Sequence, residues 1–395
     1  MEVTVLGLGY IGLPTAICLA NGGNTVYGFD VNKKVVELTN QGKLHIKEEG
    51  MESELKKVVE NGTFKCFDYV HQADAYILSV PSPFKKHPTY KLAELSYVES
   101  AAKLVGEVLK KGDLVILEST VPPETTQMME DVLVKTSGLN AEDFYTAHCP
   151  ERVLPGNMLY ELVHNDRIIG SNRPEGALKA KELYETFVTS GEIFITDDIT
   201  AEMCKLVENS FRDINIAFAN ELSMLCDELK IDVNELVRLA NRHPRVNILS
   251  PGVGVGGHCI AVDPWFLVEK FNNKAKLIRA ARETNDYKPY FVCDKILENI
   301  EYDKNKIIAI FGLAFKANID DLRESPSIKL CHLLMDKGYN VVGVEPNVDV
   351  EEVQDIKIVS MEKALEKADL IVVTLNHKEF IENMDKIEKT NHLKY

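Results

Sequence analysis

Cys259 sits in the stretch Pro251-Gly-Val-Gly-Val-Gly-Gly-His-Cys-Ile-Ala-Val-Asp-Pro264, where four glycines precede the thiol and Asp263 follows it by four residues. Glycine gives up more conformational freedom on folding than other residues, so such a cluster implies close backbone approach or positive φ. One use of that backbone is a set of unobstructed N–H groups facing an anion or a developing oxyanion. Their dipoles favour thiolate, which makes Cys259 a candidate nucleophile even though a free thiol has a pKa of about 8.5. The competing reading is a small buried hydrophobe beside a glycine turn. Asp263 is likewise open to two readings, a proton acceptor or a helix cap followed by proline at the first helical position. Lys205 and Asn209 are spaced i and i+4 and share one helix face. They could hold an oxygen atom of a substrate, or simply face solvent. His148-Cys-Pro-Glu-Arg-Val-Leu-Pro-Gly156 concentrates charge and proline beyond what a structural loop requires.

A second constellation lies at the start of the chain. Glu2-Val-Thr-Val-Leu6 reads as a buried strand, Gly7-Leu-Gly-Tyr-Ile-Gly12 follows it directly, and a helix is expected over residues 14–20. GxGxxG alone is weak. Here it joins a strand to a helix, and Asp30 ends a second strand about twenty residues on, which makes the pattern specific for a dinucleotide. Gly7 and Gly9 permit the turn and the approach of a pyrophosphate, while Gly12 permits tight helix–strand packing. Asp30 would accept hydrogen bonds from ribose hydroxyls and repel a 2′-phosphate, so NAD is expected rather than NADP.

The elements that must carry these residues begin as alternating strands and helices. Residues 75–80 and 113–117 are short buried-strand runs, each ending in polar or proline-rich sequence that contains Pro81, Ser119 and Thr120. In an open parallel sheet these ends lie on the ligand side. Ser119 and Thr120 could equally cap a helix ahead of Pro122 and Pro123. From Ile199 the period changes: Met203, Val207, Phe211, Ile214, Phe218, Leu222 and Leu225 recur at helical spacing, and the helical segment is expected to reach about Asn241. After a charged junction near residues 298–305, strands at 306–311, 340–344 and 370–374 and a helix at 325–337 restart the α/β pattern without GxGxxG. The fold class is therefore α/β, two Rossmann-like doubly wound parallel-sheet domains flanking a central helical domain with a long helix. The expected division is residues 1–197, 198–297 and 298–395.

The chain has 395 residues, 45% hydrophobic and 27% charged, with a formal net charge of −16. That charge argues against a nucleic-acid partner, whose affinity needs a basic surface. The eight cysteines form no CxxC or other zinc spacing, so reduced thiols and no metal are expected. No apolar run reaches membrane-span length, and the first residues lead straight into a strand; a cytoplasmic protein without a membrane partner is expected.

These motifs resemble the UDP-glucose/GDP-mannose dehydrogenase family along nearly the whole chain. The matching residues are Gly7-Leu-Gly-Tyr-Ile-Gly-Leu-Pro14, Glu118-Ser-Thr120, Pro150-Glu151, Lys205 with Asn209, Gly254-Val-Gly-Gly-His-Cys259, Asp263, Gly312-Leu-Ala-Phe-Lys316 and Asp321-Leu-Arg-Glu-Ser-Pro326. The wording of residues 150–156 and 243–247, with Ala261, is similar to the UDP-N-acetyl-D-mannosamine branch. The resemblance implies NAD-dependent four-electron oxidation of a sugar C6 alcohol to a carboxylate. Cys259 would hold the aldehyde as a thiohemiacetal and then a thioester. It implies further that Lys205 and Asn209 bind the C6 oxygen, that Asp263 accepts a proton, that Thr120 orders a water and that Glu151 assists hydrolysis. Tyr10, Ile11, Pro81, Ser119 and Arg323 would join the glycine turn and Asp30 at the cofactor. Arg152, Val153, Arg245, Gly256, Gly257, Phe315 and Lys316 would join Glu151, Lys205 and Asn209 around the UDP-sugar. The resemblance also implies a homodimer or higher homo-oligomer, with Arg245 reaching a neighbouring subunit's substrate.

Departures from the family pattern are Val253 for proline, Glu124 for glycine after the paired prolines, Ser82 for threonine and Glu345 for aspartate. A final strand common in relatives is also expected to be missing, leaving a short carboxyl-terminal domain. UDP-glucose or UDP-GlcNAc remains an alternative substrate. A single-step alcohol dehydrogenase and an inactive nucleotide-sugar-binding regulator remain alternative functions.

Overall fold

The computed structural model describes residues 1–46, 48, 50–86, 91–153, 156–257 and 259–395, with the side chain of residue 86 left aside. Leu154, Pro155 and His258 of the expected motifs lie outside the described residues. The chain divides into two compact units, Met1–Val207 and Glu208–Tyr395.

The first unit holds an eight-stranded sheet. Its parallel part runs Phe64–Phe67, Thr25–Phe29, Glu2–Leu6, Ala75–Leu78, Leu114–Leu117, Tyr145–His148, the order of a doubly wound dinucleotide fold. Arg167–Gly170 joins antiparallel through His148, and Ile193–Thr196 extends the edge parallel to it. Alternate side chains along each strand supply two different cores. Val3, Val5, Ile77 and Ile116 pack on one face, whereas Leu6, Leu78, Val115 and Leu117 pack on the other. A sheet covered on both faces needs this continuous apolar run, which is why the strands were visible in the sequence.

The second unit repeats the plan. Its six-stranded sheet runs Glu352–Val353, Ile356–Ile358, Asn340–Val344, Ile307–Phe311, Leu370–Val373, His392–Lys394. Ile308 and Ile310 face one core and Ala309 and Phe311 the other. The missing final strand is a correction: His392–Lys394 pairs in parallel with Leu370–Val373.

The helical segment differs from expectation in two ways. One helix spans Asp198–Leu229 and a separate one Val233–Ala240. The chain turns at Lys230, φ +56°, and Asp232 caps the second helix through the Asn234 N–H. The faces of the long helix are also inverted. Glu202, Lys205, Asn209, Asp213 and Asn220 are buried, while Val207, Phe211, Phe218 and Leu225 of the apolar stripe are exposed.

Candidate active site

The glycine turn is built as the sequence demands. Gly7 takes φ +89°, and a Cβ there would lie 2.5 Å from the Ser79 carbonyl oxygen. At Gly9 a Cβ would meet nothing within 4 Å, so its missing side chain serves open space rather than internal packing. That is the clearance a pyrophosphate needs at a helix amino terminus, here the Gly12–Asn21 helix. Asp30 accepts the Leu8 N–H at 3.0 Å and the Asn32 N–H at 2.8 Å. A carboxylate can accept about four hydrogen bonds, so capacity for ribose hydroxyls remains. Tyr10 and Pro81 are exposed and Ile11 half-buried beside this turn in sequence. The residues fit a bound dinucleotide.

Ser119 donates to the Val80 carbonyl at 2.7 Å and caps no helix. The next helix, Thr125–Ser137, starts five residues beyond Thr120, which is half-buried. In place of a conventional cap, Glu202 accepts the Glu124 N–H at 2.6 Å and the Thr126 N–H at 2.7 Å. Glu118, immediately before Ser119, has no role in the sequence beyond its place in a motif, yet it anchors a buried cluster. Thr15 and Tyr184 donate to its carboxylate at 3.2 Å, and Arg167 lies 3.7 Å away. Burial pushes its carboxyl up to about 7, with Arg167 pulling it back. Thr15 belongs to the Gly12–Asn21 helix, so Glu118 ties that helix to the strand end bearing Ser119 and Thr120. A carboxylate ending an apolar strand run was the available signal.

Lys205 donates to Glu151 Oε1 at 3.0 Å, and both residues are buried. Glu151 Oε2 accepts the Val153 N–H at 2.8 Å, and Arg152 donates to the Asp166 carbonyl at 3.2 Å. These contacts belong to the first unit.

In the second unit Asn209 donates to Asp263 Oδ2 at 2.6 Å, again with both residues buried. Asp263 is not the cap of its helix: Val262 occupies that position, and Asp263 opens the first turn with its N–H donating to the Cys259 carbonyl at 2.8 Å. Of the eight cysteines only Cys259 is exposed. Burial raises the Cys18 and Cys66 thiols to about 12, so those are inert packing groups.

Gly257 takes φ +85°, and a Cβ would stand 2.9 Å from the Phe315 ring. Its N–H donates to the Arg323 carbonyl at 3.3 Å, which seats the cysteine loop on the 312–326 segment. The half-buried Gly256 packs on the same segment, where a Cβ would lie 2.5 Å from the Glu324 carbonyl oxygen. The Arg323 side chain forms a two-pronged pair with Asp321 at 2.8 and 2.6 Å. Lys316 and Arg245 are exposed. Glu345, the departure from aspartate, accepts the Leu313 and Ala314 N–H groups at 2.8 and 2.9 Å, as Asp30 does for Leu8. Sequence reading missed Asp213, Asn220, Arg282 and Asn285, which are buried around the cysteine loop. The recurrence of Asp213 and Asn220 seven residues apart was their signal.

Comparison with known proteins decides the family. Three family models match in succession: the UDP-glucose/GDP-mannose dehydrogenase family NAD binding domain over residues 1–188, its central domain over 199–287 and its UDP binding domain over 309–394. The chain belongs to this family. Among its relatives, a UDP-N-acetyl-D-mannosamine dehydrogenase of Campylobacter jejuni is 50% identical, over 96% of each chain. An NDP-N-acetyl-D-galactosaminuronic acid dehydrogenase of Ralstonia nicotianae is 48% identical over 96% of this chain and 91% of its own. The solved UDP-D-ManNAc dehydrogenase of Pyrococcus horikoshii superposes with a TM-score of 0.92 at 41% identity, covering 100% of this chain and 95% of its own. As members of the family, residues 1–188 form an NAD binding domain and residues 309–394 a UDP binding domain. Among the described residues no cluster of metal-binding side chains occurs, and no helix is long and apolar enough to cross a membrane.

Proposed function

We propose that this chain oxidises the C6 hydroxymethyl group of UDP-N-acetyl-D-mannosamine to a carboxylate in two NAD-dependent steps. The observation that carries the reading is the exposed Cys259, in a family of nucleotide-sugar dehydrogenases, placed one turn before a buried Asp263. NAD supplies the hydride acceptor for each oxidation; the glycine turn and Asp30 hold it, with Tyr10, Ile11, Pro81, Ser119, Thr120 and Arg323 beside it.

Lys205 and Asn209 hold the sugar C6 oxygen and stabilise its negative charge, and Asp263 accepts the alcohol proton. Asp263 has a polar partner suited to this task, because Asn209 fixes its orientation. The first oxidation leaves an aldehyde. The Cys259 sulfur then forms a bond to C6 while the carbonyl oxygen takes up a proton, giving a thiohemiacetal. Loss of hydride and a proton yields the thioester, and water replaces sulfur to release acid and thiol. Thr120 orders a water, and Glu151 assists the hydrolysis as a base. Lys316 and Arg245 supply the local positive field for the pyrophosphate that a net charge of −16 does not. Arg152, Val153, Gly256, Gly257 and Phe315 complete the sugar contacts.

The reading includes the three-domain division at residues 197 and 297, a cytoplasmic location and a homodimer. The exposed apolar stripe Val207, Phe211, Phe218, Leu225 supports self-association, since an apolar helix face of this length calls for a covering partner. A second reading is favoured by the 48% identity to the galactosaminuronic-type relative: the sugar oxidised is N-acetyl-galactosamine, which differs from the mannosamine at C2 and C4. The deciding experiment measures NADH released per sugar across UDP-N-acetyl-mannosamine, -galactosamine and -glucosamine and UDP-glucose. Two NADH per sugar, with best turnover on the mannosamine substrate, is expected. Best turnover on any other sugar overturns the substrate assignment, and one NADH per sugar overturns the mechanism.

A further inference from the structure

Among the described residues between Gly252 and Ile260 the cysteine loop contains no helix or strand, so its backbone groups depend on outside partners. Both feet of the loop find them in one buried network. At the first foot, the Gly252 N–H donates to Asn220 Oδ1 at 2.8 Å, and the Asn220 amide donates to Asn285 Oδ1 at 2.8 Å. At the second foot, Arg282 Nη1 donates to the Ile260 carbonyl at 3.1 Å and to Asp213 Oδ1 at 2.5 Å. Asn285 closes the circuit by donating to the same Asp213 oxygen at 2.8 Å. Asp213 and Asn220 stand on the Asp198–Leu229 helix, Arg282 and Asn285 on the Lys276–Asn299 helix.

Arg282 is the largest fully buried side chain in the chain as described, at 0% exposure. A buried ion pair is a poor source of stability, because removing two ions from water costs nearly what their attraction returns. An apolar pair would join the two helices as well. What an apolar pair could not do is hold the carbonyl of the residue next to Cys259.

We propose that Arg282 and Asn220 are positioning residues that clamp the two feet of the cysteine loop, fixing the aim of the Cys259 sulfur for its attack on the aldehyde. The proposal rests on Cys259 being the nucleophile. The step it serves is formation of the C–S bond as the aldehyde oxygen gains a proton. Only this half of the reaction needs the thiol, so a loosened loop should leave the first oxidation largely intact and let aldehyde escape.

The test uses the full-length protein and the variants Asp213→Asn, Arg282→Lys and Asn220→Ala. Amide hydrogen exchange is followed over residues 252–262, with the Ile307–Phe311 strand as internal reference. Aldehyde released during turnover of UDP-N-acetyl-mannosamine is trapped with hydroxylamine. Loop exchange is expected to rise about tenfold or more in each variant while the strand is unchanged. Carboxylate formation should fall by about tenfold to a hundredfold with KM for the sugar held within about twofold, and the trapped aldehyde should increase. Asp213→Asn is isosteric and carries the test if Arg282→Lys fails to fold. In the wild type, loop exchange corrected for its intrinsic pH dependence should also quicken below about pH 6. Burial pushes Asp213 up to about 6, with Arg282 and Asn285 opposing that rise and Asp286 adding to it. Unchanged loop exchange in Asp213→Asn overturns the proposal. So does a loosened loop with unaltered carboxylate formation and no extra aldehyde. Loop exchange needs no substrate, so absence of carboxylate product from every UDP-sugar would defeat the proposed function separately.

Discussion

Lys205 Nζ lies 3.0 Å from Glu151 Oε1, and their side chains are only 8% and 10% exposed. Two ions removed from water in this way are stable only together, since breaking a buried pair costs about 3–5 kcal/mol while removing both partners is often neutral. Lys205→Met should therefore lower unfolding stability by about that amount, and Lys205→Met/Glu151→Leu should recover most of it. Turnover separates the structural role from the chemical one. If Lys205 stabilises the C6 oxyanion, both variants should lose about a hundredfold or more in kcat, the usual cost of removing one oxyanion donor. Urea unfolding and steady-state NADH formation check the pair of expectations. A double variant that regains turnover along with stability would remove Lys205 from the chemistry.

Glu124 carries φ +76°, the left-handed region, at the position where the family pattern favours glycine. The exposed side chain buys no burial, and its backbone N–H remains bonded to Glu202 whatever residue stands there. A non-glycine residue in this region is strained by about 1–2 kcal/mol, and glycine's entropy takes back about half of that. Glu124→Gly should stabilise the protein by about 0.5–1 kcal/mol, and Glu124→Val should destabilise it, both read from urea midpoints. Equal midpoints for the two variants would count against backbone strain here.

The strands and the glycine turn were legible in the sequence because a sheet buried on both faces leaves an unbroken apolar run, as in Leu114–Leu117. The helix faces were not. Periodicity marks two sides of a helix but does not say which side is inside, and here Lys205, Asn209 and Asp213 went in while Phe211 stayed out. Hydrogen bonding holds that arrangement: Lys205 and Asn209 each meet a partner far away in sequence, Glu151 and Asp263, 54 residues distant in both cases. Of the two readings of Asp263, the helix cap is not realised, for a related reason. The Asp-Pro pair does begin a helix, but the carboxylate is already engaged by Asn209, so the local rule yields to a distant partner.

Phe211 is 66% exposed and Phe218 52% exposed, seven residues apart on one face. If that stripe is the contact between two copies of the chain, a charge placed there must be desolvated on association. Phe211→Asp and Phe218→Asp should shift sedimentation equilibrium from dimer toward monomer at micromolar concentration, with a cost of several kcal/mol per interface shared by two copies. Activity per chain should fall as well if Arg245 serves the neighbouring subunit. Variants that sediment as the wild type does would show that another surface joins the copies.

Lys288 is buried, donates to the Ser223 hydroxyl and sits 4.9 Å from the Phe291 ring centroid. Burial lowers its pKa from 10.5 to about 8, opposed by Asp227. A lysine depressed in the folded state binds its proton more tightly when unfolded. Between about pH 8 and 10.5 the unfolded chain therefore holds the extra proton, and stability from this residue rises with pH across that window. Below pH 8 both states are charged and the folded one carries the full cost of burying the ammonium, on the order of 3 kcal/mol. Lys288→Met fills a similar volume without the charge, and Ser223 retains its bond to the Asn220 carbonyl at 2.7 Å. The variant should be more stable than the wild type at pH 7, and the two should converge as pH approaches 10.5. Parallel stability–pH curves for wild type and variant would mean that the Lys288 ammonium is compensated in the folded protein.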